Sequence, residues 1–176
     1  MQLPGKVHIM EVGPRDGFQA EHQWIPTERK IEIVDAISRT GVPEIQATSF
    51  VHPRAVPQLA DAEEVMGRID RRPGVRYQVL VPNIRGLQRA LPFKPDAIHL
   101  MMSVTESHNR ANANRSVDDS LREFERLVPM AREAGMDVEA GMACVFGCPF
   151  EGDVPIEQLS RVIGRYREMG ITRMSL

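Results

Sequence analysis

The chain has 176 residues, 42% of them hydrophobic, which is enough to bury the core of one globular domain and excludes a disordered segment. Its 22 basic and 24 acidic residues are interspersed and leave a net charge of −2, so no broad field favours nucleic acid or an anionic membrane, and an acidic ligand must be held by local groups. No apolar run approaches transmembrane length, and Met1 to Lys6 lack the apolar core of a secretory signal, so the expected location is the cytoplasm.

The run Val7-His8-Ile9-Met10-Glu11-Val12 alternates well enough for a buried strand, and Gly13-Pro14 ends it. Arg15 and Asp16 then stand at the strand's C-terminal mouth. A carboxylate suits a hard divalent cation and a guanidinium beside it suits an anion forming near that cation, although an ordinary surface ion pair uses the same two residues. Thr27 is placed to cap a helix with Ile31, Val34 and Ile37 on one face, ending at Gly41. Glu44 to Val51 reads as a second strand that delivers polar residues to its end. His52 to Gln58, with two prolines, is a loop, and Asp61 to Ile69 is helical.

After Pro73-Gly74, Tyr77 to Val81 forms a third strand and Ile84 to Leu91 a short helix. Ala97 to Val104 is a fourth strand. The segment Thr105 to Arg115, with three Asn and two Arg, reads as a polar loop, either solvated or ligand-binding. Ser116 caps the clearest helix, whose Leu121, Phe124, Leu127 and Val128 share a face and whose end is marked by Gly135. Val138 to Val145 is a fifth strand, Ile156 to Met169 a helix closed by Gly170, and Thr172 to Leu176 the start of a sixth strand.

Cys144 and Cys148 are the only cysteines, four residues apart, with no second Cys or His pair to complete a zinc site; they read as small buried or loop residues. The five histidines include no His-x-His or His-Glu-x-x-His pairing. Apolar strands alternating with helices, with polar residues gathered at the C-terminal strand ends, call for a parallel α/β sheet. An open doubly wound sheet and a (β/α)₈ barrel both fit. No Gly-x-Gly-x-x-Gly follows the first strand, and a barrel puts its active-site loops where the polar clusters fall, so the expected fold is a (β/α)₈ TIM barrel of which this chain holds strands one to six.

Several segments together resemble the hydroxymethylglutaryl-CoA lyase family of Arg-Asp-motif, metal-dependent TIM-barrel lyases. They are Glu11-Val12-Gly13-Pro14-Arg15-Asp16-Gly17-Phe18-Gln19, Thr48-Ser49-Phe50-Val51 with Val56-Pro57-Gln58 and Asp61, Val79-Leu80-Val81-Pro82-Asn83, Asn112-Ala113-Asn114, and Cys144 to Gly152. The resemblance implies retro-aldol cleavage of 3-hydroxy-3-methylglutaryl-CoA to acetoacetate and acetyl-CoA with Mg²⁺ or Mn²⁺. It implies Asp16 as a metal ligand, Arg15 as the cation beside the enolate, Gln19 as a pocket residue, and Ser49 and Asn114 as substrate contacts. An acyl-CoA substrate, no nucleic-acid or membrane partner, and a homo-oligomer, a dimer, are implied as well.

Two departures stand out. Gln46 occupies a position where the family's better-known members carry glutamate. Glutamine keeps an acceptor oxygen but loses the charge, which leaves room for a related acyl-CoA lyase or Claisen-type synthase. The length is the other: residues 1–176 are expected to be the N-terminal part of one barrel domain, without the family's His-x-His, its asparagine ligand and its cysteine acid. Alone they are expected to be inactive, with an open sixth-strand edge; a non-catalytic partial barrel that pairs with a partner is the third reading.

Overall fold

The computed structural model describes residues 5–176; of the segment read for a leader, Met1 to Pro4 lie outside them. Six parallel strands, β1 (Met10–Glu11), β2 (Glu44–Ser49), β3 (Arg76–Leu80), β4 (Ala97–Ser103), β5 (Asp137–Ala143) and β6 (Met174–Ser175), lie in one sheet in the order in which they occur in the chain. A doubly wound sheet reverses its strand order partway across, and this one does not. The sheet is also curled. Arg173, entering β6, donates to Glu44 of β2 at 3.0 Å, whereas four interstrand steps of a flat sheet would hold them about 19 Å apart. The architecture is a partial TIM barrel.

Helices α1 (Phe18–Ala20), α2 (Thr27–Ser38), α3 (Ala62–Arg68), α4 (Ile84–Ala90), α5 (Glu106–Ala113), α6 (Val117–Glu133) and α7 (Ile156–Glu168) alternate with the strands. The apolar core sits between helices and sheet. α6 contributes Val117, Leu121, Phe124, Leu127, Val128 and Ala131, at the helical spacing read from the sequence. Its cap is Ser116, whose Oγ accepts from Asp119 N at 3.0 Å. Its end is a Schellman turn: Gly135 at φ +80° donates to Arg132 O at 2.9 Å, and Met136 N to Ala131 O at 3.0 Å.

Three expectations are corrected. The first strand is a two-residue ladder, not a buried strand over Val7 to Val12: Val7 and Ile9 are 68% and 61% exposed. Among the described residues β1 pairs only with β2, so its alternation finds no second wall to face. Thr27 is the first residue of α2, with Pro26 at the cap position, and its hydroxyl donates to Asp61 Oδ2 at 2.8 Å. Finally, most of the polar segment after β4 is helix α5. It lacks an apolar stripe, but Asn109 is fully buried, accepting from Ser103 N at 3.0 Å and donating to Arg115 O, Ser116 O and Ser120 Oγ at 3.0, 2.9 and 2.8 Å. Tertiary hydrogen bonds, rather than a hydrophobic face, hold that helix.

Candidate active site

After β1 the chain makes a single π-helical turn over Gly13–Gly17, with Arg15 N and Asp16 N both donating to Val12 O at 3.0 and 2.7 Å. At Gly13 the Glu11 carboxylate folds back onto the backbone. The Gly13 N–H donates to Glu11 Oε1 at 2.6 Å, and a Cβ would lie 2.9 Å from that oxygen. The turn sends its two charged residues in different directions. Arg15 points inward with its side chain 14% exposed, while Asp16 stays at the rim, 63% exposed.

Arg15 donates from Nε to Gln46 Oε1 and from Nη1 to Asp16 Oδ1, and among the described residues Nη2 has no hydrogen-bond partner. Burial pushes the guanidinium's pKa down, and the neighbouring Asp16 pulls it back up. Gln46 is delivered by β2 at the point where the β2–β3 register slips between Gln46 and Thr48, a bulge of the kind that aims side chains at sites.

Behind Arg15 the barrel interior is polar. Gln46 Nε2 donates to Gln78 Oε1 at 2.6 Å, and Gln78 Nε2 donates to Glu139 Oε2 at 2.9 Å. Glu139 is also paired with Arg76 and with Arg173 Nη1, the latter at 2.7 Å. Glu44 completes the floor, touching Arg76, Arg173 at 3.0 Å and His8 at 2.8 Å. Burial would raise the pKa of Glu44, but Arg173, His8 and Arg76 hold it below the usual carboxylate range. This ladder was not read from the sequence. Its signal is the spacing of two in Glu44-x-Gln46, Arg76-x-Gln78 and Asp137-x-Glu139, which puts each pair on one strand face.

His99 on β4 is 4% exposed and faces the same interior; Gly141 of β5 makes room, since a Cβ there would sit 2.7 Å from His99 Nε2. Burial, then the nearby Arg15, push its pKa down to about 4 against a small opposing pull from Glu44, so the imidazole is neutral at pH 7.

The other expected site residues are more dispersed. Gln19 is exposed in α1, Ser49 is buried with its Oγ accepting from Val51 N at 3.2 Å, and Asn114 is exposed and closes α5 at φ +52°. Among the described residues none of the three hydrogen-bonds to Arg15 or Asp16, so the structure joins Arg15 and Asp16 to Gln46 and leaves those three apart. The Val56-Pro57-Gln58 and Asp61 segment has a packing role: buried Lys30 donates to Gln58 O at 2.6 Å and to both Asp61 oxygens at 2.8 and 2.9 Å. Gln58 Nε2 in turn donates to Glu21 O at 2.7 Å, pinning the loop after β2 to the chain just beyond the Arg15-Asp16 turn. Cys144 and Cys148 are free thiols in the loop after β5, and Thr105 Oγ1 donates to Cys148 Sγ at 3.2 Å. A pocket of about 370 Å³ is lined by Cys144 together with Met101, Met142, Phe146 and Ser175. Among the described residues no group of three or more His, Cys, Asp or Glu could hold a metal ion, and no helix is long and apolar enough to cross a membrane.

The HMGL-like family model matches residues 6–176. The chain belongs to that family. It is 47% identical to the hydroxymethylglutaryl-CoA lyase of Bacillus subtilis (strain 168) over all of its length and 59% of the relative's. It is 43% identical to the cytoplasmic 3-hydroxy-3-methylglutaryl-CoA lyase of Danio rerio over 99% of its length and 52% of that protein's. The crystal structure of the Bacillus subtilis HMG-CoA lyase superposes with a TM-score of 0.97, covering 100% of this chain and 59% of that one. An HMG-CoA lyase from Acinetobacter baumannii, solved with coenzyme A and 3-methylmalate, superposes with a TM-score of 0.91 at 34% identity, over 95% of this chain and 54% of that one. The chain thus spans between half and three-fifths of the length of these HMGL-like relatives, and the six-strand partial barrel corresponds to that part of their fold.

Proposed function

We propose that residues 1–176 supply the N-terminal part of a single barrel domain that cleaves 3-hydroxy-3-methylglutaryl-CoA to acetoacetate and acetyl-CoA. The observation that carries this is Arg15: a half-buried guanidinium at the strand mouth of an HMGL-like barrel, with Nη2 unpartnered among the described residues. In a retro-aldol cleavage the hydroxyl proton leaves, the carbinol carbon becomes a ketone, and the electron pair of the broken C–C bond passes to the thioester as an enolate. A fixed guanidinium beside the developing oxyanion stabilises it most in the transition state. The acyl-CoA class is supported by the Acinetobacter baumannii relative, which was solved with coenzyme A.

The family likeness brings with it a divalent cation, Mg²⁺ or Mn²⁺, which when bound would ease loss of the hydroxyl proton. Asp16 fits the role of one ligand, an exposed carboxylate at the mouth. The described residues do not complete the donor set, so the steps assigned to this chain are those of Arg15 and the groups that hold it. Gln46 favours a second reading, a related acyl-CoA lyase or Claisen-type synthase, because Arg15 meets a neutral amide there.

The test joins this chain to the C-terminal portion of the Bacillus subtilis relative and follows acetyl-CoA release from a panel of 3-hydroxyacyl-CoA thioesters. Turnover of hydroxymethylglutaryl-CoA is the expected result. Turnover of another thioester with none of that substrate would replace the first reading with the second.

A further inference from the structure

The ladder behind Arg15 has a direction that its two ends impose. A guanidinium is donor-only and a carboxylate acceptor-only, whereas each glutamine amide has both functions and can be turned round. With Glu139 accepting, Gln78 must present its NH₂ to it and its oxygen to Gln46. Gln46 must then present its NH₂ to Gln78 and its oxygen to Arg15 Nε. Turning either amide round would set oxygen against oxygen or N–H against N–H in a ladder whose glutamines are at most 1% exposed.

We infer that Glu139, three strands away from Gln46, is a positioning residue for Arg15, acting through the head-to-tail amides of Gln78 and Gln46. Its own charge is taken up by Arg76 and Arg173, so what reaches Arg15 is orientation and a polarised amide oxygen rather than a counter-charge. Arg15 is thereby held on its buried side without a carboxylate partner; its one carboxylate is Asp16 at the rim, and Nη2 is left for an anion at the mouth. Gln46 and Gln78 work as a pair here, each amide useful only because the other is present. The inference deepens the lyase reading and rests on it for the purpose of the ladder, but the ladder itself can be tested without turnover.

The measurement is hydrogen exchange at Arg15 Nε–H in the 176-residue chain by ¹⁵N NMR, with the signal assigned by its loss in Arg15→Lys and the β5 backbone amides as the control for global stability. Glu139→Gln is expected to speed exchange at Arg15 Nε–H by about tenfold or more, the scale of losing a well-aligned hydrogen bond to a charged group, with the β5 amides unchanged. Gln46→Glu, which sets a carboxylate directly on Arg15, is expected to restore protection to within about twofold in the Glu139→Gln background. If Glu139→Gln does not fold, Gln78→Met cuts the ladder in its middle and leaves Glu139 with its arginines; the same loss of protection is expected. Exchange at Arg15 within about twofold of the parent in whichever variant folds would overturn the inference. Protection lost as expected, alongside a chimera whose turnover ignores Arg15, would overturn the lyase role and leave the ladder standing.

Discussion

Lys30 gives the sharpest test of how the site's surroundings are held. Its side chain is 2% exposed, clamped by Asp61, itself 8% exposed, and by Gln58 O, with the Trp24 ring centroid 3.9 Å from Nζ. Lys30→Met keeps the length and apolar stem but strands the Asp61 carboxylate, which is left with Thr27 Oγ1 as its remaining side-chain donor. Breaking a buried pair from one side costs about 3–5 kcal/mol, because an uncompensated charge stays behind. A domain has only about 5–15 kcal/mol in hand. With a urea m-value of about 2 kcal/mol/M, the midpoint should fall by roughly 1.5–2.5 M. Lys30→Met combined with Asp61→Leu, which removes both charges, should recover most of that loss. Urea titrations followed by circular dichroism measure all three proteins. A single-variant cost below about 1 kcal/mol, or a double variant no better than the single, would refute the buried-pair account.

Further outcomes follow from the same contacts. Because His99 titrates at about 4 when folded and near 6.5 when unfolded, the unfolded chain binds the extra proton between those values. Stability should therefore fall as pH drops from about 6.5 to about 4, by up to about 3 kcal/mol, and His99→Leu should flatten that part of the pH profile. Asn109→Ala should cost about 3 kcal/mol or more in a thermal melt, since it strands the buried Ser103 N–H and two loop carbonyls. Ser116→Ala should cost about 1 kcal/mol as a lost helix cap. Phe146→Ser should change the urea midpoint negligibly, because Phe146 is 86% exposed.

The strands, the helices and the parallel barrel were legible because apolar periodicity and terminal glycines are local signals: α6, with Ser116 before it and Gly135 after it, shows both. The Arg15-Asp16 turn could be placed for the same reason, following an apolar run and a Gly-Pro stop. Helix α5 could not, because what holds it is Asn109 reaching β4 and the loop before α6. The interior ladder was hidden by distance along the chain. Gln46 and Gln78 are 32 residues apart and meet only when β2 pairs with β3, and Gln78 and Glu139 are 61 apart and meet only across β4 in the curled sheet. The strand faces that carry them were read as apolar walls with polar ends, and the alternation of Glu44 with Gln46 was the overlooked cue. The roles of Gln19, Ser49 and Asn114 came from resemblance alone, and no hydrogen bond ties them to Arg15 among the described residues.

The most direct test of the central claim is turnover of hydroxymethylglutaryl-CoA by the chimera with and without Arg15→Lys. Lysine keeps the charge and loses the fork that Gln46 and Asp16 hold. Acetyl-CoA release is expected to fall about 10²- to 10³-fold, mainly in kcat, as for the loss of one fixed oxyanion donor. Release at the parent rate in Arg15→Lys would contradict the assignment of Arg15 as the cation beside the enolate.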